Sequence, residues 1–577
     1  MYALERIKHE LASEIGHLLK AEIKSADFVA PPQEDLGDLS LPCFVLAKEL
    51  KKNPAEVAKE IAAKFQHKLV GACSVAGPYL NISLSHEAFN IILDNLVKFK
   101  DNFGFNKSGD GQRLMIEYAN QNTHKELHIG HLRNMAYGDA VNRILAFNGY
   151  KVIPVSYIND FGIHVAKTIW AYHDELKEPN IFSKEISEKD KSRLGSRGFL
   201  LGKLYQDAVG MLKNNPSKNT DVSRIMKEIE SRSGEMYKIW KETRSWSLKQ
   251  FDLAYKELNI KFKTVFYESD FIKEGFKMVG ELRKKGFLID SEGAVIADLE
   301  QYKLGVLVVL RSDGTALYPV ADLALAIEKI KRYKLDSSLY IVDVRQGLYF
   351  DQLFKLLELL GYATKFEHLS YDFVKLPSGM MSSRTGNIIP YEDLKEMALV
   401  KAKAEIVKRH ETWTKKQINE TARVIAFGAL KFEMIKVGAL KQITFDIDTA
   451  LRFDGFTAAY LQYTYARIQS INYKADKKFK AVKADWNKLI DKREKVLTLS
   501  LGRFPEIVLI AGEKKDPAEI AKYLFDLAQV TNDYYHAINV LKADTVTGAA
   551  RLALLNSVAS IIKQGLKLLG IETVNEM

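Results

Sequence analysis

The spacing of apolar residues changes from one stretch of the chain to the next. Near the N-terminus they recur every three to four positions, which predicts an amphipathic helix through Leu4, Ile7, Leu11, Ile15, Leu18 and Leu19. A second helix is predicted around Pro54 to Phe65, and a strand at Tyr79 to Leu84. Residues 1–105 are therefore predicted to form a small α+β domain, followed by a charged, glycine-bearing linker at Phe103–Arg113.

From Leu114 the pattern becomes strand, loop, helix from about Gly130 to Asn148, and strand from Val152 to Tyr157. This is a βαβ unit, which implies a parallel sheet with ligands at the carboxyl ends of its strands. A polar, largely helical region follows at 183–258, and strand-like runs resume at Gly305–Leu310 and Leu339–Val344. We predict a Rossmann-type catalytic domain over residues 112–395, with an insertion at about 183–300.

Beyond about Pro390 the strand signals fade. Heptad-like apolar spacing dominates three later stretches, Ala422–Leu440, Ala458–Ile471 and Ala518–Leu541. We predict a helical connecting region at 396–450 and an all-helical domain at 451–577. The expected fold class is therefore a multidomain α/β protein.

Composition narrows the function classes only a little. A chain of 577 residues can bury several cores, and its net charge of +11 would attract a polyanion such as nucleic acid. The two cysteines, Cys43 and Cys73, offer no C-x-x-C pair, so we expect no structural zinc and a reducing compartment. The N-terminus does not resemble a targeting segment, and the longest apolar run is too short to span a bilayer. A cytoplasmic protein without membrane contact is expected.

Two histidines three residues apart, His128 and His131, follow a predicted strand at the start of a helix. A helix N-terminus offers free N–H groups and a positive dipole end to phosphate, and the imidazoles can donate further hydrogen bonds to a triphosphate. Gly130 between them would let a flat ring approach the backbone. For an isolated H-x-x-H pattern, helix-surface residues or metal ligands would be the more ordinary explanation, but the preceding strand and the position at the start of a helix favour phosphate binding here.

The run His128-Ile-Gly-His131 is similar to the HIGH signature of class I aminoacyl-tRNA synthetases, and Lys125 with Leu132-Arg-Asn134 resembles the arginyl enzymes in particular. The chain departs from the family pattern at Gln121, Asn159 and Phe161. The resemblance implies ATP and L-arginine as substrates. It places His128, Gly130 and His131 on ATP, with Glu117 and Asn122 on the amino acid.

Tyr318 and Asp322 lie four residues apart, so they share a face if a helix has begun there. A guanidinium group is bound well by a carboxylate and a flat aromatic wall. On spacing alone, a generic helix start is the more ordinary explanation of this pair. The resemblance to arginyl-tRNA synthetases implies an arginine-binding role for both residues and for Gln346, whereas Tyr349 stands where a histidine is common.

The second class I signature, KMSKS, corresponds to Gly379–Asn387, where Met380 and Ser383 replace the two lysines. The resemblance implies that Met381, Ser382 and Ser383 contact ATP, and that Lys125 or Arg384 supplies the missing positive charge. The predicted catalytic residues are therefore His128, His131, Lys125 and Arg384. No protein nucleophile is required, because catalysis rests on positioning and electrostatics, with Mg²⁺ on the phosphates and no protein metal site.

Tyr460, Tyr463 and Arg467 form one helical stripe. Such groups can stack on unpaired bases, although core packing is the usual role of such a stripe. The stretch resembles the anticodon-binding domain of arginyl-tRNA synthetases, which implies tRNA contacts for this stripe and for the terminal Met577. The resemblance of Ala76–Asn81 to the family's N-terminal domain implies tRNA contacts for Tyr79 and Asn81. The lysine-rich stretch Lys474–Lys495 is predicted to be a solvated face.

The resemblance implies ATP-dependent attachment of arginine to its tRNA through an arginyl-adenylate, by a monomer that activates arginine only when tRNA is bound. Three alternatives stay open. A different class I synthetase would also carry the HIGH run, and small nucleotidylyltransferases bear a similar H-x-G-H without a helical anticodon domain. A non-catalytic tRNA-binding relative would explain the missing KMSKS lysines.

Overall fold

The computed structural model describes residues 1–177, 197–375, 389–475 and 477–577. These residues form two compact units. One unit comprises Gly109–Leu451, and the other joins Met1–Ser108 with Arg452–Met577. The predicted domain boundaries at 105, 112, 395 and 450 remain predictions.

The central unit is built on a parallel sheet, as the βαβ pattern predicts. Within the described residues this sheet has five strands, which lie in the order Lys365–Tyr371, Ser337–Asp343, Arg113–Glu117, Lys151–Ile158 and Thr264–Tyr267. Every neighbouring pair is parallel. The chain extends the sheet to both sides of Arg113–Glu117, so the strand order reverses there, and a crevice is expected at the carboxyl ends of the strands.

The helix that follows the central strand is Ile129–Phe147, called the signature helix below. It is apolar on most sides and buries Leu132, Met135, Ala140 and Ile144. Gly138 allows its close packing, because a Cβ there would lie 2.3 Å from Cγ of Tyr118. Other helices of this unit are Ile163–Lys177, Arg197–Asn214, Asn219–Glu230, Gly234–Glu257, Glu268–Lys284, Tyr318–Tyr333, Gly347–Leu359, Tyr391–Arg409, Lys415–Ile435 and Ile447–Ala450.

The structure corrects the expectation that the run Gly305–Leu310 resumes the parallel sheet. Strand Val306–Leu310 instead pairs with Ala294–Asp298, which pairs with Ile289–Ser291, in a separate antiparallel sheet. Its side chains alternate, with Val306 and Val308 exposed and Leu307 and Val309 buried. The parallel sheet is completed by two strands that were not predicted, Thr264–Tyr267 and Lys365–Tyr371.

The other unit begins with an N-terminal α+β region. Its antiparallel sheet places Tyr79–Leu84 between Leu39–Pro42 and Val70–Ala76. The predicted strand thus has the expected bounds, and the two predicted helices are observed at Ala3–Leu19 and Pro54–Lys64. The remaining helices of this region are Phe44–Leu50 and His86–Phe99.

The C-terminal residues of that unit are helical, as predicted. The helices are Ala458–Lys474, Lys477–Ala481, Lys492–Gly502, Phe504–Lys514, Ala518–Ala537 and Thr545–Leu568. They pack against the N-terminal region, where Lys8 pairs with Glu506 at 2.9 Å and the indole N–H of Trp486 donates to Asp94 at 2.8 Å. The two ends of the chain therefore form one body.

One helix among the described residues, Thr545–Leu568, is long and apolar enough to cross a membrane. Within its most apolar window, 61% is buried inside the protein. Helices Ala458–Lys474 and Ala518–Ala537 pack against it. Such burial is typical of the core helix of a helical bundle.

Candidate active site

A cavity of about 1030 Å³ lies at the carboxyl ends of the parallel strands. Its walls come from the ends of four strands, through Glu117, Tyr157, Asp343 and Tyr371, and from the loops and helices that follow them. One end of the cavity, called the helix end below, is formed by the start of the signature helix. The other end, called the acidic end, lies around Asp322.

At the helix end, two histidine rings are fixed by backbone hydrogen bonds. The N–H of Gly130 donates to Nδ1 of His128 at 3.1 Å, and the N–H of His128 donates to Nδ1 of His131 at 3.2 Å. In a neutral imidazole whose Nδ1 accepts, Nε2 carries the proton. Both rings therefore keep an Nε2–H group for a ligand in the cavity.

Burial keeps these two histidines neutral. It lowers the pKa of His128 to about 4, with a smaller contribution from the charge of Lys125, and it lowers the pKa of His131 well below its ordinary value. A side chain at Gly130 would disturb this arrangement, because a Cβ there would lie 2.9 Å from Cε1 of His128. The helix end thus offers oriented N–H dipoles to an anion.

At the acidic end, Asp322 lies one turn into helix Tyr318–Tyr333, on the same face as Tyr318, as the spacing predicts. Its Oδ2 accepts a hydrogen bond of 2.5 Å from the hydroxyl of Tyr349. Its Oδ1 is buried and has no hydrogen-bond partner of ordinary geometry among the described residues. Burial raises the pKa of Asp322 to about 6, although the bond from Tyr349 opposes this shift.

A second carboxylate, Glu268, lies close to Asp322. Burial raises its pKa to about 8, and the charge of Asp322 adds to this effect. Glu268 begins helix Glu268–Lys284, and its Oε2 accepts a hydrogen bond of 3.2 Å from the side chain of Asn159. Among the described residues, neither Asp322 nor Glu268 forms an ion pair, although the charge of Lys329 acts on Asp322 from farther away. Two such neighbouring buried acids favour a cationic ligand. The sequence analysis missed Glu268, and the signal that could have identified it is an acid directly after the short strand Thr264–Tyr267.

Glu117, in contrast, already has a cationic partner. Its carboxylate forms a buried ion pair with Lys329, and its Oε1 accepts a hydrogen bond of 2.9 Å from Asn120. Lys329 was also missed, because it lies on a later turn of helix Tyr318–Tyr333 and nothing in its spacing separates it from a surface lysine. Because Glu117 is paired with Lys329, Asp322 and Glu268 are the acids at this end of the cavity for which a cationic ligand would be the ion-pair partner.

Comparison with known proteins decides the family. The family model described as "tRNA synthetases class I (R), catalytic domain" matches residues 93–447, more than half of the chain. The chain belongs to the arginyl-tRNA synthetases. Two further family models match at its ends, the "Arginyl tRNA synthetase N terminal domain" at residues 5–84 and the "DALR anticodon binding domain" at residues 461–577.

Individual relatives cover nearly the whole length of this chain. The "Arginine--tRNA ligase" of Bdellovibrio bacteriovorus is 37% identical, with 95% of this chain and 94% of the relative aligned. That of Halothermothrix orenii is 32% identical over 99% of both chains. The solved structure of the Thermus thermophilus arginyl-tRNA synthetase matches with a TM-score of 0.79 and 26% identity, and covers 99% of this chain and 100% of that one.

The cavity brings together most of the residues that the sequence predicts for the ATP and arginine sites of an arginyl-tRNA synthetase. They are Glu117, Asn122, His128, Gly130, His131, Tyr318, Asp322 and Gln346. Lys125 is not among the residues that line it. Its ammonium instead lies 5.1 Å from the ring centre of Tyr205, and burial lowers its pKa. The predicted Met381, Ser382, Ser383 and Arg384 lie outside the described residues.

The predicted stripe for tRNA lies on helix Ala458–Lys474, where Tyr460, Tyr463 and Arg467 are all partly exposed. The guanidinium of Arg467 lies 3.5 Å from the ring centre of Tyr535. The side chain of Asn532 joins the two ends of the stripe, since it donates to the hydroxyl of Tyr460 at 2.7 Å and accepts from Arg467 at 3.4 Å. The stripe is therefore an ordered aromatic and cationic surface.

The other predicted tRNA contacts differ in exposure. Tyr79 is 37% exposed and packs edge-on against Phe44, and Met577 is partly exposed. Asn81 is only 2% exposed, and its contact with tRNA stays a prediction. It lies on the central strand opposite Ser40, which is also buried.

Proposed function

We propose that this chain attaches L-arginine to its tRNA in two steps at the cavity described above. In the first step, the arginine carboxylate attacks the α-phosphorus of ATP, forming arginyl-adenylate and releasing diphosphate. In the second step, a ribose hydroxyl at the 3′ end of the tRNA attacks the arginyl carbonyl and AMP leaves. The observation that carries this proposal is that one cavity is lined both by the buried acid Asp322 and by the histidines of the helix end, with a second buried acid, Glu268, electrostatically coupled to Asp322 behind this lining.

The acidic end would recognise the arginine side chain. A guanidinium group carries a delocalised charge and several donors in a plane, which suits two carboxylates better than a point charge does. The carboxylate of Asp322, which also interacts with the hydroxyl of Tyr157, would accept one of these donors, and the exposed Tyr318 would form a flat wall. Lys329 would compensate Glu117, so that the positive charge of the substrate is directed to Asp322 and Glu268.

The helix end would hold the phosphates of ATP. The Nε2–H groups of His128 and His131 would donate to oxygens on which charge develops as the phosphorus is attacked, and the helix N-terminus would add its dipole. The neutral state of the rings matters because each has one donor in a fixed orientation. Additional positive charge would come from Lys125 or Arg384, which remain predictions.

Mg²⁺ would enter this site with the nucleotide. Among the described residues, no cluster of three or more histidine, cysteine or acidic side chains could form a protein cage for a metal ion. Mg²⁺ often keeps its waters and binds substrate phosphates instead of a dedicated protein site, and its presence here remains a prediction.

The Tyr460, Tyr463 and Arg467 stripe would stack on bases of the tRNA anticodon loop. Family resemblance further predicts that arginine is activated only when tRNA is bound, which would be a case of induced fit. Monomeric state and a place in the cytoplasm also remain predictions from the sequence.

Exchange of labelled diphosphate into ATP tests the proposal, measured for each amino acid with and without an arginine tRNA transcript, beside a charging assay. We expect exchange with arginine alone, dependent on tRNA, and charging of the transcript. Charging with another amino acid would contradict the assignment of the acidic end. Folded protein that binds the tRNA but neither exchanges nor charges would indicate a non-catalytic member of the family.

A further inference from the structure

Arg133 is the most deeply buried large cation of the signature helix, and it bonds four backbone carbonyls. It is 1% exposed. Its Nη1 donates to the carbonyls of Asp372 and Phe373 at 2.6 and 3.1 Å. Its Nη2 donates to those of Ala439 and Lys441 at 2.7 and 2.9 Å. One side chain therefore ties two distant segments of the chain to the helix that carries His128 and His131.

The first of these segments is part of the cavity wall. Asp372, Phe373 and Val374 all line the cavity. The second segment supports the first, because Val374 and Lys375 pair in parallel with Ile443 and Thr444. Arg133 thus connects the signature helix both to the cavity wall at Asp372 and Phe373 and to the supporting segment at Ala439 and Lys441.

The start of the same helix is tied to a third segment. The N–H of Ile129 donates to the carbonyl of Ile389 at 3.3 Å, and the N–H of Tyr391 donates to the carbonyl of Leu127 at 2.8 Å. The described residues on both sides of the stretch 376–388 are therefore held on the signature helix, those before it by Arg133 and those after it by backbone bonds.

The four carbonyl groups around position 133 require the guanidinium group of an arginine side chain. Burial lowers the pKa of Arg133 to about 10, so the group remains charged at neutral pH. A buried charge is costly unless hydrogen bonds satisfy it, and the planar fork of arginine reaches two pairs of acceptors at once. A lysine ammonium has three donors around a single atom, so it cannot bond all four carbonyls.

We infer that Arg133 is a positioning residue for adenylate formation: it sets the distance between the cavity wall at Asp372–Val374 and the histidines of the helix end. This inference rests on the proposed function. Arg133 acts through the wall and does not need to contact a reacting atom. A displacement of this wall would affect the nucleotide and the attack on phosphorus, whereas the acidic end, on helix Tyr318–Tyr333, would keep its geometry.

The test is Arg133→Lys, assayed by arginine-dependent diphosphate exchange in the presence of tRNA, with thermal unfolding followed in parallel. We expect kcat to fall about tenfold to 10²-fold, as for a misplaced reacting group, and KM for ATP to rise. KM for arginine should stay within about twofold, since its contacts are elsewhere. Arg143→Lys is the matched control, because Arg143 lies on the same helix and bonds Asp139 and the carbonyl of Asn259, outside the cavity lining.

Three outcomes would overturn the inference. The first is wild-type kinetics in Arg133→Lys, and the second is equal losses for ATP and arginine. The third is loss of cooperative unfolding in Arg133→Lys and also in the milder Arg133→Gln, which would limit Arg133 to a role in stability. Failure of the proposed function is distinguishable, because the unaltered protein would then show no arginine-dependent exchange.

Discussion

The two ends of the cavity differ in the sign of the charge that each is proposed to bind and in the ionisable side chains that form them. In the proposed function the helix end binds a polyanion, yet its histidines are neutral, because burial lowers the pKa of His128 to about 4. The acidic end is proposed to bind a cation, and there burial raises the pKa of Asp322 to about 6 and that of Glu268 to about 8. The same physical cause, desolvation, thus leaves both ends less charged before their ligands arrive.

Two of the three lysine and arginine side chains that line the described part of the cavity are buried and paired. Arg133 bonds backbone carbonyls, and Lys329 pairs with Glu117. Arg345 is exposed and pairs with Asp343 at 2.8 Å, a surface pair that a ligand could displace. We therefore expect phosphate binding to depend on oriented N–H groups, with positive charge from Arg345 or from outside this lining. The two ends are thus prepared for their ligands differently. At the helix end the hydrogen-bond donors have fixed orientations, whereas at the acidic end the carboxyl groups have raised pKa values and can lose a proton when a cation binds.

Loss of a helix-end histidine should have the largest effect. For His131→Ala we expect arginine-dependent exchange to fall on the order of 10²-fold, because a preorganised donor to developing charge is lost. His128→Ala should behave alike, because each substitution also removes the acceptor of one backbone N–H, that of His128 in His131→Ala and that of Gly130 in His128→Ala. The exposed His86 provides the control, and steady-state exchange kinetics provide the measurement. Activity of His131→Ala within threefold of the parent would remove the histidine from the reaction.

Asp322→Asn should act on arginine rather than on ATP. A charge-assisted hydrogen bond contributes about 1.5–3 kcal/mol, so we expect KM for arginine to rise about 10- to 10²-fold. Arginine titrations at saturating ATP and tRNA would measure this, with the exposed Asp270→Asn as a control on the neighbouring helix. An unchanged KM for arginine would exclude Asp322 from the pocket.

Site residues could be predicted from the sequence where the residues that identify them lie close together along the chain. His128 with His131, and Tyr318 with Asp322, lie within a few residues of each other, so one short motif reveals each pair. Glu268 lies far from Asp322 in sequence, and the strand that delivers it has only four residues, inside a region interpreted as an insertion. The helix end could be inferred from one segment, whereas the acidic end requires three-dimensional contact.

The fold shows the same limit. The βαβ start, the antiparallel N-terminal strand and the C-terminal helices follow from periodicity. The run Val306–Leu310 was misplaced, because five consecutive apolar residues resemble a buried parallel strand. Sequence composition could not reveal that Val306 and Val308 face solvent, since that depends on which strands become its neighbours.

Lys125→Ala should have an intermediate effect and show where the helix end obtains its charge. If Lys125 replaces a KMSKS lysine, kcat should fall by about tenfold or more while the KM values change little, because the cation is needed as charge develops. Its place over Tyr205 requires a control for lost packing, which Lys125→Met supplies. Unchanged kcat in Lys125→Ala, with loss of activity in Arg384→Ala, would identify Arg384 as the substitute.

The smallest effect is expected far from the cavity. Arg467→Ala should raise KM for tRNA by about tenfold, since stacking on one base contributes about 1–3 kcal/mol. KM for arginine should not change, and the exposed Arg452→Ala provides the control. If Arg467→Ala has an unchanged KM for tRNA in charging assays, the stripe serves only the packing of the helices and not the binding of tRNA.

The protonation state of the acidic end offers the most direct test of the account. Because the pKa of Glu268 is raised from 4.5 to about 8, the folded protein binds this proton more tightly than the unfolded chain. The contribution of Glu268 to stability therefore falls as pH rises through that window. A guanidinium favours the ionised carboxylate, so arginine binding should expel the proton, and arginine affinity should increase as pH rises from 6 to 8.

Calorimetric titration of arginine at pH 7, in buffers of different ionisation enthalpy, counts the protons released on binding. The account predicts release of about one proton per arginine, and nearly none from Glu268→Gln. A binding enthalpy that does not depend on the buffer in the unaltered protein would contradict it, because the acidic end would then already be ionised before arginine arrives.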